Sequence, residues 1–451
     1  MLYESESGTF RIALAGDCIL TRRLSVFREE RFLKLRDVFR GADVGFANFE
    51  STVHNYLEGH QNLSEGTYVT TEPSLLEELK WVGINMVSCA GSHSFDYGEE
   101  GILRTIQYMD KAGMAHAGTG RNLREARSPT FLDTPNGRVA LLAVTAHFTD
   151  WVIAGEQRPD VPGRAGLNPL RYSTAYAIDE PGMKELRRLG SALGIEAAKE
   201  RRKNLGSPVP TDGPDTYHFL GKKFVTRDAF SIQTVPHHQD LMENLKQVRE
   251  ARSMADWVVV SLHYHERGGS NFSTARLRSE LEEPADFVRE FAHRCIAEGA
   301  DIFVGHGPQV PFGIEIYMGK PIFYSLGSFV FQLETIRYLP EEAYRRYDLD
   351  HMATPADFVA ARYKNDTVGH PADPRQWQQV CAACRYQGGI LDEIALYPLD
   401  LGYGKPRSQR GRPLLADDEL GEKIIARVGG ISKRLGTEVV YAKGHGLVSL
   451  T

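Results

Sequence analysis

The chain has 451 residues, 42% hydrophobic and 25% charged, enough for one large domain or two ordinary ones with a sizeable buried core. Its 53 Lys and Arg against 59 Asp and Glu give a net charge of −6, which excludes a global attraction to nucleic acid or anionic membranes. No apolar run reaches membrane-spanning length, and five cysteines suit reduced thiols in a cytoplasmic protein better than a disulfide framework.

The opening "MLYESESGTF" is acidic and has no basic, apolar leader. Strands are predicted at 11–16 (RIALAG), 42–50 (ADVGFANFE), 84–89 (INMVSC), 138–146 (RVALLAVTA), 256–265 (DWVVVSLHYH), 301–306 (DIFVGH) and 320–331 (KPIFYSLGSFVF). Several are almost continuously apolar, as in sheets covered on both faces. Between them, 99–113 aligns Ile102, Leu103, Ile106 and Met109 on one helical face and stops at Gly113. A second helix is predicted at 284–300, with Phe287, Phe291 and Cys295 aligned, and a third at 417–436. This alternation argues for an α/β fold.

Two segments interrupt the pattern. Residues 151–250 hold a Pro/Gly-rich loop, a basic helix (184–206) and a lead-in helix (237–255), and residues 334–386 are polar and irregular. Both read as insertions into a single domain, the first near the site, with 387–451 supplying the strands and helix that complete it. Long insertions often cover active sites. Cys381 and Cys384 form a lone C-x-x-C with no second pair for zinc, and read as small residues near a strand start. "HAGTGRNLREA" (116–126) reads as a turn into a helix, without the acidic partner of a dinucleotide site.

Chemistry collects where the strands stop. Asp17 follows the first strand; Asn48 and Glu50, two apart, point to one side of the second. His93 and Asp96 follow the third, His263 and His265 end the strand at 256–265, and His306 ends the next, with Gln309 beyond it. Each has an ordinary reading: Asp17 as a helix cap, Asp96 as a helix start, a histidine as a core or rim residue. Five strand ends delivering Asp, Asn, Glu or His together point to a metal, because mixed nitrogen and oxygen ligands on separate strands converge on one rigid point. One or two divalent ions, manganese, iron or zinc, fit such a set. In "GRAGLNPLRY", Arg164, Asn168 and Arg171 are candidates to grip an anionic substrate; the competing reading is a surface loop with solvated arginines.

The stretches "LAGDCIL", "FANFEST", "SHSFDYGEEGI", "HAGTGRNLREA", "VVVSLHYHE" and "GADIFVGHGPQV…GIEIYMGKPIFYSLGSFVFQ" resemble, in order and spacing, the CapA-type proteins of poly-γ-glutamate capsule synthesis, relatives of calcineurin-like metallophosphoesterases. The resemblance covers most of 11–332 and continues more weakly through 388–401. It implies a metallophosphoesterase-like, four-layer α-β-β-α sandwich of two mixed sheets with helical and loop insertions, and a metal centre at the strand ends. Residue by residue, Asp17 matches the family's "GD", Asn48 and Glu50 its "N-x-E", His93 and Asp96 its "N-N-H-x-x-D-x-G", and His263 its "H-W-G". Ser92 stands where the family has Asn. The "G-x-H-P-H" turn appears as "GHGPQ", so His306 comes one place early and Gln309 replaces the final His; "SLGSF" puts Ser328 in place of Asn.

The expectation is therefore a metal-dependent hydrolase. Asp17, Glu50, His93, His263 and His306 hold the metal, with Asn48, His265 and Gln309 as additional ligands. Asp96 orients His93, and His265 is the general acid when it does not bind metal. The bond, phosphoester or γ-glutamyl amide, is open, as is the choice between an anionic small molecule and a polymer. Two rivals are a non-catalytic accessory protein holding an anionic polymer in an eroded site, and a metal enzyme with non-hydrolytic chemistry. The sequence assigns no oligomeric state.

Overall fold

A computed structural model describes residues 8–63, 66–268 and 282–450. The first seven residues, part of the stretch read for a leader, lie outside them. The chain forms two compact units: a larger one (Met1–Leu170, Met242–His265, Ala292–Thr451) and a smaller one (Arg171–Leu241, Glu266–Phe291).

The larger unit is mixed α/β, as the alternation implied. Its ten-stranded sheet runs Val439–Ala442, His445–Val448, Ile390–Asp400, Gln378–Gln387, Thr9–Ile19, Val44–Phe49, Met86–Ser88, Ala115–Ala117, with two short strands off this path. Thr9–Ile19 pairs parallel with Val44–Phe49 and antiparallel with Gln378–Gln387, so the sheet is mixed. A six-stranded sheet runs Ile314–Tyr317, Lys320–Phe323, Ile302–His306, Trp257–His263, Gly137–Thr145, Thr130–Thr134, with its four middle strands parallel.

Alternation along the strands distributes the core. Ile12, Leu14, Val44 and Phe46 of the first sheet join Val139, Leu141, Val259 and Val304 of the second in one buried cluster. Their alternates Ala13, Ala15 and Ala47 pack on the other face with Phe32, Leu35 and Phe39 of the helix Glu30–Arg40 and with Met109 of Gly98–Ala112. Burying one such Leu or Phe contributes about 1.5–3 kcal/mol, and sides buried twice over explain the continuous apolar runs.

The apolar run 320–331 is two strands, not one. Lys320–Phe323 belongs to the six-stranded sheet, whereas Ser328–Phe331 pairs parallel with Thr9–Ile19. The chain changes sheets at Gly327, where φ is +73° and a Cβ would fall 1.7 Å from Gln379 Oε1; only glycine fits. Likewise the predicted basic helix at 184–206 is broken at Gly194 (φ 72°) into Glu180–Ala192 and Ile195–Asn204. The smaller unit also holds a four-stranded sheet, Thr216–Phe219, Lys222–Thr226, Tyr172–Ile178, Ser231–Pro236, which its polar strands concealed. Segment 334–386, read as irregular, holds the short helices Glu341–Arg345 and Pro355–Arg362, and from Gln378 it is a strand inside the large sheet. Cys381 and Cys384 are buried in that strand, and all five cysteines are free. Among the described residues no helix is long and apolar enough to cross a membrane.

Candidate metal centre

Parallel pairing assembles the site. Register sets Asp17 beside Asn48 on one side and beside Ser328 on the other. In the second sheet it sets His263 beside His306. Parallel strands end in step, so their C-terminal ends deliver these side chains together. Bulges in Thr9–Ile19 on both sides of Asp17 re-aim that residue. Glycine makes the approach possible: a Cβ at Gly16 would lie 1.9 Å from Gly327 O, the carbonyl oxygen that accepts from Asp17 N–H at 2.8 Å.

Asp17, Glu50 and His263 each place a ligand atom within 4.8 Å of the others, and all three are buried. Asn48 Nδ2 donates to Asp17 Oδ1 (2.8 Å) and Glu50 Oε2 (2.7 Å) and lies 3.4 Å from His263 Nδ1. That Nδ1 is itself 3.2 Å from Glu50 Oε2. An amide nitrogen, partly positive, thus sits where three acceptors converge. Its own Oδ1 is buried without a hydrogen-bond partner. His306 is fully buried with neither ring nitrogen hydrogen-bonded, and its Nδ1 is 4.0 Å from Asp17 Oδ1. Buried polar atoms left without partners cost about 1–3 kcal/mol each. A divalent cation beside Asp17, Glu50 and His263 would engage one His306 nitrogen and, with the Asn48 amide turned over, its Oδ1, so the donor set of carboxylates, imidazoles and amide oxygen fits one.

The surroundings hold this set in place. Glu50 Oε1 accepts from Ser92 Oγ (2.6 Å) and His93 N–H (3.1 Å). Gly307 N–H donates to Asp17 Oδ2 (3.3 Å). Asp96 is neither a helix cap nor a ligand of this cluster: its Oδ2 accepts from Val69 N–H and from His93 Nδ1, each at 2.7 Å. Asp17 lies within a strand and caps no helix. His265 Nε2 is 3.2 Å from His263 Nε2.

Electrostatics follow from burial. Desolvation, then the charge of Glu50, push the Asp17 carboxyl well above its usual range. Desolvation and neighbouring imidazoles hold His263 and His265 well below the ordinary histidine value and bring His306 down to about 3. Three neutral imidazoles keep their lone pairs for a cation. His93 differs: burial opposes its charge, but Asp96 and Glu50 prevail and raise it to about 9.

Residues 11–333 match the bacterial capsule synthesis proteins PGA_cap. The chain belongs to that family. It is 31% identical to the uncharacterized protein y4sH of Sinorhizobium fredii over 455 residues, taking in 98% of this chain and 93% of that one. It is 24% identical to the PGA biosynthesis protein CapA of Bacillus subtilis over 374 residues, 79% of this chain and 76% of the relative. With a probable polyglutamine synthesis accessory protein of Mycobacterium tuberculosis it shares 25% identity over 297 residues, 65% and 57% of the two chains.

The three departures from the expected PGA_cap pattern all line the same small cavity with Asp17, Glu50 and His263. Ser92 steadies Glu50. Ser328 N–H donates to Gln379 Oε1 (3.1 Å), and Gln379 Nε2 donates to the carbonyl of Gln309 (3.1 Å). Gln309 itself has φ 62°, an uncommon conformation for a residue with a side chain. Gln379, fully buried, therefore ties both loops of the cavity, and sequence gave no hint of it.

The proposed substrate grip does not assemble. Arg164 is exposed and donates to Ile153 O (2.9 and 3.2 Å). Asn168 is fully buried, donating to Ala143 O and Asn244 Oδ1 (both 2.9 Å), so it is framework. Arg171 belongs to the smaller unit and clasps the buried Asp240 with two bonds of 2.7 Å. A further histidine was missed: His147 stacks on His265, ring centroids 3.8 Å apart. It follows the strand Gly137–Thr145, so the strand-end rule that found the others applies to it equally.

Proposed function

We propose that this PGA_cap chain is a metal-dependent hydrolase acting on an anionic substrate. The observation carrying this is the convergence of Asp17, Glu50 and His263 beside buried, unpartnered Asn48 Oδ1 and His306 nitrogens. Asp17, Glu50 and His263 would hold the ion, with Asn48 and His306 completing its surroundings. A bound divalent ion supplies Lewis acidity, polarising an ester or amide oxygen and lowering the pKa of water.

The remaining roles belong to the chain. Asp96 holds His93 at Nδ1 and favours its charged form, which leaves Nε2 to deliver a proton to a leaving group. Ser92 and the His93 N–H keep Glu50 oriented. Facing sheets with helices outside accord with a four-layer α-β-β-α sandwich. Relatives named for PGA biosynthesis favour a γ-glutamyl amide over a phosphoester.

The test is elemental analysis of wild type and His263→Ala, purified without chelator or affinity-tag metal, followed by assays on γ-glutamyl oligomers and phosphoesters. Stoichiometric manganese, iron or zinc in wild type, lost in the variant, together with metal-dependent turnover, is the expected result. Wild type that stays metal-free after reconstitution overturns the proposal and leaves a non-catalytic accessory protein; accessory is the word in the printed name of the mycobacterial relative.

A further inference from the structure

The residues gathered at the centre come from two sheets. Asp17, Asn48 and Glu50 lie on or just after strands of the ten-stranded sheet, whereas His263 and His306 end strands of the six-stranded one. A cation held by both halves needs them at a fixed separation, because a metal–ligand distance tolerates a change of only about 0.2 Å. Gln379, fully buried in the strand Gln378–Gln387, reaches to both sides.

On one side, Gln379 Oε1 accepts from Ser328 N–H at 3.1 Å, and register sets Ser328 beside Asp17. A Cβ on Gly327 would lie 1.7 Å from the same oxygen, and Gly327 O accepts from Asp17 N–H at 2.8 Å. The amide therefore packs directly on the glycine whose carbonyl holds Asp17. On the other side, Gln379 Nε2 donates at 3.1 Å to Gln309 O, in the turn that follows His306. It also donates to Gln376 O at 2.7 Å and lies 3.4 Å from Arg375 O. These partners fix the sense of the amide: turned over, its nitrogen would face an N–H and its oxygen three carbonyls. The bond to Gln309 O also holds that residue at φ 62°. Farther along, the same two segments pair at Pro311 and Leu326. Gln379 extends that joint to Gln309 and Ser328, both of which line the cavity with Asp17, Glu50 and His263.

We propose that Gln379 is a positioning residue of the metal centre, a brace that sets how far the Asp17 side of the ligand set stands from the His306 side. This rests on the reading of the cavity as a metal centre and needs no turnover. The experiment compares the full chain as wild type, Gln379→Met and Gln379→Glu. Methionine matches glutamine in length and loses both hydrogen-bonding ends. Glutamic acid keeps an acceptor for Ser328 N–H; burial facing carbonyls favours its neutral form, which donates one of the lost bonds. Manganese affinity is measured by competition against a fluorescent chelator. The visible spectrum of the cobalt-loaded protein reports ligand geometry, and amide exchange of the metal-free protein reports the joint itself.

The expected result is a loss of roughly a hundredfold in manganese affinity for Gln379→Met and roughly tenfold for Gln379→Glu. The cobalt bands should shift in the same order, and Ser328 N–H should exchange faster in metal-free Gln379→Met while Trp257–His263 keeps its protection. Should Gln379→Met fail to fold, the near-isosteric Gln379→Glu decides by affinity and spectrum. Variants that lose only stability, binding manganese within threefold of wild type with unchanged cobalt bands, would show an ordinary structural residue and overturn the proposal alone. Wild type that binds neither metal would overturn the metal-centre reading and this proposal with it.

Discussion

Gly91→Ala changes no ligand, yet it should empty the metal centre. A Cβ at position 91 would fall 2.2 Å from Glu50 Oε2, 2.8 Å from its Cδ and 3.0 Å from Oε1. The carboxylate is buried and held by Ser92 Oγ at 2.6 Å, Asn48 Nδ2 at 2.7 Å and His93 N–H at 3.1 Å, so any move away from position 91 pulls against these bonds. Relieving the contact to 3.0 Å displaces Oε2 by about 0.8 Å, several times the roughly 0.2 Å tolerance of a metal–ligand distance. The move also stretches hydrogen bonds to a charged acceptor, each contributing about 1.5–3 kcal/mol. Metal affinity should weaken at least about a hundredfold, or roughly 2.7 kcal/mol. Competition against a fluorescent chelator measures this, with circular dichroism to show the fold retained. A variant that folds and binds within threefold of wild type would show that Glu50 is not a ligand.

Two other predictions concern parts outside the centre. His54 is fully buried, and desolvation, opposed by Glu58, brings it down to about 4. An unfolded histidine titrates near 6.5, so between about pH 6.5 and 4 the unfolded chain binds the extra proton, and stability present above 6.5 is lost as pH falls. His54→Gln should flatten the stability profile across that window by about 2 kcal/mol relative to wild type; parallel urea-derived profiles would refute the argument. Asp240→Ala should strip the two-bond partner from Arg171, which is 43% exposed. Denaturant unfolding should register a loss of about 2–3 kcal/mol, below the range for a fully buried pair, with metal content unchanged. Stability unchanged from wild type would refute the role given to this pair.

What the sequence disclosed depended on local periodicity. Asn48 and Glu50 were legible as a pair because a strand repeats every two residues, and His263 and His306 because each ends an apolar run. What it concealed lies between segments distant in sequence. Gly91 matters only because Glu50 approaches it, and Gln379 only because two loops meet around it. The turn at Gly327 was hidden because the run around it is apolar in both sheets. The failed grip at Arg164, Asn168 and Arg171 has a related cause: donors and acceptors in a loop look alike whether they face a ligand or the loop's own framework, and here they bond Ile153, Ala143, Asn244 and Asp240.

The two histidines of the H-x-H pair cannot be assigned separately, because their facing nitrogens share one proton. His263 turns Nδ1 to Glu50 and Nε2 to His265 Nε2, 3.2 Å away. If Nδ1 gives its lone pair to a cation between Asp17, Glu50 and His263, the neutral ring carries its proton on Nε2 and donates it to His265. His265 Nε2 is then an acceptor, and burial with the neighbouring imidazoles keeps that ring from taking a second proton. A group in that state accepts a proton bond where an acid must give one. His265, stacked on His147, therefore fits the orientation of His263 better than the general-acid role expected for it. In the proposed hydrolase the proton for a leaving group would fall instead to His93, whose charged form is favoured by Asp96 at 2.7 Å.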